Sequence, residues 1–314
     1  MRIVVLAGGI GGARFLRGLR RAEPDAEITV IGNTGDDIFL FGLKVCPDLD
    51  TVMYTLGGGI NEEQGWGRAD ETFRVKEELA AYGVEPTWFG LGDRDFATHI
   101  VRTQMLDAGY PLSAVTEALC HRWQPGVRLI PMTDDRVETH VVVSDERGRR
   151  AIHFQEWWVR LRASVPAEAI TPIGAEDAKP APGVLDAIEH ADVVLLPPSN
   201  PVVSVGTILA VPGIREAVAA KTVVGVSPII GGAPVRGMAD ACLTASGVET
   251  SARAVAEHYG ADLLDGWLVD ETDAAVAEEG VAGIAVRARP LLMTDVEATA
   301  GIARAALELA GEVR

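Results

Sequence analysis

Cysteine is scarce in this chain. The 314 residues hold three, Cys46, Cys120 and Cys242, far apart and odd in number. That excludes a disulfide framework and the paired spacing of a cysteine zinc site, and it fits a reducing compartment. Positive charge is also short: 28 Lys and Arg against 45 Asp and Glu leave a formal net charge of −17. Such a balance argues against a nucleic-acid backbone or an anionic membrane as partner. No apolar run approaches a membrane span. The apolar N-terminal stretch is broken at once by glycines, unlike a secretory signal. Low-complexity tracts and internal repeats are absent. The expectation is therefore a cytoplasmic globular protein, with no nucleic acid and no membrane as partner. Its length allows a sizeable core in one large domain or two. The deficit of cations sets a problem, because an anionic ligand would need local help from backbone amides, a few arginines or a metal ion.

What is present is an alternation of short apolar runs and helical patterns. Strands are expected at Ile3–Ala7, Ile28–Gly32, Thr87–Gly90, Val127–Pro131, Asp192–Leu196, Thr222–Val226, Leu263–Val269 and Val281–Val286. Most are continuously apolar, as in strands buried on both faces of a parallel sheet. Asp70 is placed to cap a helix over Glu71–Tyr82 that stops at Gly83. Thr294 and Glu297 form a capping-box pattern before a last helix, with Gly311 past its end. The alternation implies an α/β fold, a Rossmann-like, doubly wound and mostly parallel sheet in a single domain over residues 1–314. One stretch breaks the rhythm. Glu138–Ser144 and Arg149–Trp157 alternate apolar and polar residues around Asp145-Glu146-Arg147-Gly148, the pattern of an antiparallel hairpin. Ala175–Gly183 then reads as a loop returning to the main sheet, so a small inserted subdomain is expected at about residues 136–180.

The first strand ends in a glycine cluster, Gly8, Gly9, Gly11 and Gly12. Read as the dinucleotide fingerprint from Gly9, it puts Arg14 where the third glycine allows close helix–strand packing. Asn33 stands at the end of the second strand, where an acid should meet the ribose. The P-loop pattern is absent as well. What remains is a turn whose amides face a helix start, a generic anion cradle, or else a tight corner without ligand. Arg14 in the first turn favours phosphate.

The acidic loops carry more. NTGDDIFLFGLKVCPDLDTVMYTLGGG holds the acids Asp36, Asp37, Asp48 and Asp50 on a long loop beside the ligand-binding edge of the sheet. Carboxylates clustered near a phosphate cradle most simply mean Mg²⁺. Each aspartate could instead form a turn, and Asp50 could cap the helical pattern Thr51–Leu56. In FGLGDRDFATHIVR, Asp93, Asp95, His99 and Arg102 lie where a strand gives way to a helix. Asp95, His99 and Arg102 share one helix face, able to bind an acidic group or simply to be solvated. Ser199, Asn200, Ser227 and Pro228 fall where two late strands emerge, suited to phosphate, ribose or base recognition or to ordinary turns. No arrangement of Ser-His-Asp, H-E-x-x-H or C-x-x-C is present. Glycine amides, carboxylates and a metal, without an obvious nucleophile, fit phosphoryl-group transfer.

In order along the chain, AGGIGGARFL, NTGDD, CPDLDTVMYTLGGG, GWG, WFGLGDRDFATH, HFQEWWVR, PSNPVVS, SPIIGG, RGMAD and LLMTD resemble the motifs of the CofD/FbiA family. The resemblance runs from the first strand to the last helix, and CPDLDTVMYTLGGG, EELAAYGV and HFQEWWVR are most similar to the actinobacterial FbiA branch. It implies a Mg²⁺-dependent transfer in coenzyme F420 biosynthesis. A phosphoenolpyruvyl or 2-phospho-L-lactyl moiety would pass from a guanosine diphosphate-linked donor (enolpyruvyl- or lactyl-diphospho-guanosine) to the terminal ribityl hydroxyl of the deazaflavin Fo, releasing GMP. A homodimer is implied too. By the same resemblance Gly8, Gly9, Gly11 and Gly12 would hold donor phosphates. Asp37, Asp48 and Asp50 would hold Mg²⁺ or orient the acceptor hydroxyl, with Asp50 the first choice, and Asp50 or Asp37 would serve as any general base. Ser199, Asn200, Ser227 and Pro228 would frame the guanosine or the deazaflavin. Arg14, Asn33, Asp93, His99 and Arg102 complete the expected ligand-binding set.

Three rivals remain at this level. A nucleotide-sugar-binding regulator related to CofD would lack the transfer and ignore free Fo, and CPDLDTV and HFQEWWVR speak against it. An NAD(P)-dependent oxidoreductase is opposed by Arg14 and Asn33. A purely structural oligomer component would leave the acids at loop ends without purpose.

Overall fold

The computed structural model describes residues 1–313. Seven of the apolar runs pair in one sheet, in spatial order Ala285–Ala288, Gly266–Val269, Val223–Val226, Val193–Leu196, Arg2–Ala7, Glu27–Gly32 and Arg128–Pro131. Every pairing in it is parallel. Side chains alternate across a strand, so each of these runs feeds two cores. Ile3 and Val5 join Phe15, Leu16 and Leu19 of helix α1 (Gly9–Ala22) and Ala303 and Ala306 of the last helix, Val296–Glu312. Val4 and Leu6 instead meet Ile188, Val218 and Val255 on helices of the opposite face. Covering both faces is what turns an alternating strand into a continuously apolar one.

The chain runs from Arg2–Ala7 to Glu27–Gly32 on one side, and later resumes at Val193–Leu196 on the other. Strand order therefore reverses between Arg2–Ala7 and Val193–Leu196. In open α/β sheets that reversal splays the loops apart and opens a ligand crevice at the carboxyl ends. The glycine turn and Pro198-Ser199 stand at this point.

The insertion is a three-stranded antiparallel sheet, Gly148–His153, Glu138–Asp145 and Ala167–Ile173 in spatial order, with a wide helical turn at Glu156–Arg160. The third strand was not expected. Phe154 and Trp157 pack with Val203 and Cys242 of the main body, so the insertion shares its core.

Several local expectations are corrected. Thr87–Gly90 is not a strand. The place beside Glu27–Gly32 is taken by Arg128–Pro131, and Trp88 and Phe89 serve the crevice instead. Helix α2 covers Pro47–Leu56, after an antiparallel hairpin of Ile38–Leu40 with Leu43–Val45. Asp50 is thus inside its first turn, not its cap; proline at the start supplies a φ already suited to a helix. Helix α3 is Arg74–Ala81, so Asp70, at φ +55°, does not cap it. The last helix is capped by Asp295, which accepts from the Ala298 N–H, rather than by Thr294, and Gly311 lies within it. Strand Ala285–Ala288 begins later than expected. No helix among the described residues is long and apolar enough to cross a membrane.

Candidate active site

A cavity of about 810 Å³ opens at the switch point. One end is built from the glycine turn and two acids of the loop after Glu27–Gly32. Gly8 has to be glycine here, because a Cβ would stand 2.3 Å from Asp48 Oδ2 and 2.7 Å from Ser204 Oγ. Its absence lets the Asp48 carboxylate reach the start of α1, where the Gly9 amide favours its charged form. Asn33 fixes that carboxylate from behind, donating from Nδ2 to Asp48 Oδ2 at 2.9 Å and to Val203 O at 3.1 Å. Asn33 itself is wholly buried and outside the cavity wall, so what it meets here is an acid of the protein.

The Gly8 amide is engaged too, donating to Ser199 Oγ at 3.3 Å while that hydroxyl donates to Gly8 O at 2.8 Å. Gly9 and Gly11 line the cavity, and Arg14 reaches it from the next turn. Gly12 lies behind, against Ser199 and Ala7. The expected anion cradle is therefore partly occupied by a carboxylate of the protein.

Asp36 lies beside it on the cavity wall, buried, with Oδ1 lacking any hydrogen-bond partner. Burial pushes its carboxyl well above the ordinary range, and the charges of Asp48 and Asp37 push the same way. Burial likewise lifts Asp48 to about 6, against the pull of Asn33 and the Gly9 amide. Two buried carboxylates that oppose each other's ionisation are a place where a cation would lower the energy. Among the described residues no group of three or more His, Cys, Asp or Glu is disposed to hold a metal. A Mg²⁺ ion needs no such group, since it commonly takes one or two carboxylates and completes its shell with substrate phosphates and water. The residues fit it on those terms.

Asp37 goes elsewhere. It is buried outside the cavity wall, ion-paired with Lys44 Nζ at 3.0 Å and accepting from Cys46 Sγ at 3.2 Å.

The middle of the cavity is a buried polar cluster carried by α2 and helix α4 (Asp93–Asp107). Asp95, His99 and Arg102 share one face of α4, as their spacing implies, and that face meets Asp50 and Tyr54 of α2. Arg102 is 2% exposed and does not line the cavity. Its guanidinium donates to Asp50 Oδ1, to His99 Nδ1 at 3.0 Å and to Lys44 O at 3.3 Å. Accepting at Nδ1 leaves the neutral imidazole's proton on Nε2, and burial keeps His99 neutral by lowering it to about 4. Asp50 Oδ2 and His99 Nε2 have no hydrogen-bond partner, and both residues line the cavity. Tyr54 donates to Asp95 Oδ1 at 2.7 Å.

Burial, with the Asp50 charge adding to it, lifts Asp95 to about 7. A carboxyl raised in the folded state stabilises the protein below its unfolded value and loses that contribution as pH rises through about 7. The loss is at most about 4 kcal/mol. Thermal unfolding from pH 5 to pH 8 is therefore expected to show a steeper fall in Tm for the wild type than for Asp95→Asn. Parallel profiles would remove Asp95 as the cause.

Asp93 has a different task from the ligand contact expected of it. It is outside the cavity wall, and its carboxylate accepts from the Arg74 and Val75 amides at 3.3 and 3.0 Å, capping α3. In return Glu71 accepts from the Arg94 and Asp95 amides, both at 2.8 Å, capping α4. Asp93→Ala is expected to lower the urea-unfolding midpoint, with turnover changed little; a large loss of turnover would return Asp93 to the ligand-binding set.

At the far end the walls turn aromatic. Trp66, Trp88, Phe89, Phe154 and Trp158 line it, none of them anticipated as site residues. Their sequence signal was the GWG, WFGLG and HFQEWWVR motifs, which carry no periodicity. Asn200 and Ser227 line the cavity while satisfying local backbone. The Asn200 side chain accepts from the Val202 and Val203 amides, and Ser227 Oγ exchanges bonds with Ile229. Ser199 and Pro228 are on the same wall.

Comparison with known proteins places this geometry in context. Residues 3–297 match the family model described as 2-phospho-L-lactate transferase CofD. A Thermobifida fusca protein named phosphoenolpyruvate transferase is 76% identical over 322 residues, covering all of this chain and 99% of its own. A Streptomyces coelicolor protein of the same name is 78% identical over 317 residues, again covering 100% and 99%. The crystal structure of a Bacillus halodurans protein of the UPF0052 family superposes with a TM-score of 0.61 at 19% identity, over 97% of this chain and 99% of that one. At that identity the likeness concerns the fold.

Proposed function

The chain belongs to the CofD family and is an enzyme transferring a phosphoenolpyruvyl or lactyl group; from that premise we propose a guanosine diphosphate-linked donor, the ribityl hydroxyl of Fo as acceptor, and GMP as leaving group. The enolpyruvyl donor is preferred, because the relatives that match along the whole chain are named phosphoenolpyruvate transferases. In this reaction the acceptor oxygen bonds to the phosphorus that carries the three-carbon acid. The bond from that phosphorus to the bridging oxygen breaks, GMP departs with the bridging oxygen, and the hydroxyl proton is released.

The observation that carries the reading is Asp48 at the glycine turn. A diphosphate laid on α1 would meet a carboxylate, which is unfavourable unless a cation lies between them. Asp36 and Asp48 would hold Mg²⁺, which when bound supplies countercharge to the diphosphate. Gly9, Gly11 and Arg14 bind the donor phosphates. Asp50, held by Arg102 through one oxygen, accepts the acceptor hydroxyl's hydrogen bond on the other and so fixes the direction of attack. Phosphoryl-type transfer through a loose transition state asks mainly for such positioning. The aromatic end suits the flat deazaflavin ring, leaving the wall of Ser199, Asn200 and Ser227 to the guanosine.

The test is mass spectrometry of reactions containing Fo, Mg²⁺ and each donor in turn. The expected result is a phosphoenolpyruvyl adduct of Fo with GMP formed in equal amount. A lactyl adduct alone would reverse the choice of donor. No adduct from either, with protein folded and Mg²⁺ present, would leave a nucleotide-binding regulator as the better reading.

A further inference from the structure

The RGMAD motif has no part in the chemistry above, yet its arginine reaches the cavity. Between α2 and α3 the chain makes a loop over residues 61–67 whose base is closed by backbone bonds. Ile60 and Arg68 form an antiparallel bridge, Asn61 N donates to Gly67 O at 3.1 Å, and Gly65 N donates to Asn61 O at 2.8 Å. The tip is held differently. Its successive carbonyls at Glu62, Glu63 and Gln64 accept from arginines on two separate walls. Arg14 of α1 donates to Glu62 O at 3.4 Å, while Arg17 pairs with the Glu62 carboxylate at 2.6 Å. Arg236, from the loop before Ala239–Ala245, donates to both Glu63 O and Gln64 O.

Gly65 is shaped to receive that guanidinium. It is buried at φ +72°, and a Cβ there would stand 2.7 Å from Arg236 Nη2. The next residue, Trp66, lines the aromatic end, with its ring against Gly90. Both bonds come from the one nitrogen Nη2, at 2.5 Å to Gln64 O and 3.5 Å to Glu63 O, so a single charged donor ties two consecutive carbonyls.

We propose that Arg236 is a positioning residue: with Arg14 opposite, it holds the 61–67 loop so that Trp66 completes the wall against which the acceptor's aromatic ring binds. The inference rests on the proposed reaction only for the identity of that acceptor. Without Arg236 the tip keeps its paired base but loses the anchor on one side, so Trp66 samples positions away from the wall. Acceptor binding weakens, while the groups around the transferring phosphorus stay in place.

Two measurements on the full-length protein test this. Hydrogen exchange of the 61–67 amides, without substrate, compares the wild type with Arg236→Ala and Arg236→Lys. Steady-state kinetics with Fo as varied substrate uses the same proteins. Arg236 is exposed, so the variants should fold. Expected are exchange at least about tenfold faster in Arg236→Ala, intermediate in Arg236→Lys, and a KM for Fo raised about tenfold with kcat within about threefold. Gly65→Ala should act in the same direction and add little in the Arg236→Ala background. Unchanged exchange would overturn the proposal. So would a collapse of kcat at constant KM, which would put Arg236 at the reacting atoms. If the wild type formed no adduct, the transferase reading would fail while the exchange comparison still decided the latch.

Discussion

Arg102→Met is expected to destabilise the protein by about 3–5 kcal/mol and to leave almost no turnover. The side chain is buried behind the cavity and donates to Asp50, His99 and a backbone carbonyl at once. Burial alone would favour its neutral form; the Asp50 carboxylate more than offsets this and holds it charged. Methionine nearly fills the space and supplies no donor. Asp50, 5% exposed, would then be a buried carboxylate without its cation, next to Asp95. The penalty is the stranded charge, not lost packing, and a second substitution separates the two. Arg102→Met with Asp50→Leu should recover most of the stability while remaining inactive, as buried ion pairs replaced by apolar groups often do. Urea unfolding of the two proteins gives the comparison. A single variant within about 1 kcal/mol of wild type would mean that the cluster is wetter than its burial implies.

The sheet was legible because its strands are buried on both faces, and continuous apolar runs such as Val193–Leu196 have few other homes. The crevice followed from the same reading, since polar loops at the carboxyl ends of such strands converge wherever strand order reverses. What stayed hidden was set by distance along the chain. Asp93 looked like a ligand because the amides it caps lie 18 and 19 residues away. Arg102 was read as a ligand-binding cation for a related reason: spacing shows that it shares a face with His99, but not that α2 lies against that face. Asn33 and Asp37 were read as facing ligand, yet they face Asp48 and Lys44. The aromatic end was missed because Trp66 and Trp88 sit in irregular segments, where glycines rather than periodicity determine direction. Asp36, bracketed with Asp37 as one acid pair, emerged as the member that lines the cavity.

That division between Asp36 and Asp37 extends to Asp50, and the extension can be tested. Asp50→Asn is expected to lower kcat by about 10²–10⁴-fold, with the KM for donor changed much less. Asparagine keeps the shape and an oxygen for Arg102, and the guanidinium retains His99 Nδ1 and Lys44 O as acceptors. The fold should therefore survive with a loss of about 1–3 kcal/mol. What is removed is the charge on the oxygen without a hydrogen-bond partner, to which, in the proposed reaction, the acceptor hydroxyl would bond. Asp37→Asn is the companion measurement. That carboxylate is equally buried and equally acidic in sequence, but its partners are Lys44 and Cys46. Its loss should therefore appear in unfolding, with kcat changed by less than about tenfold. If the two variants lost turnover alike, the distinction drawn from cavity lining would fail, and Asp37 would return beside Asp50 as a group acting on the acceptor. If only Asp50→Asn does so, then of these two carboxylates, each with one oxygen lacking a hydrogen-bond partner, the one serving the reaction is the one that lines the cavity.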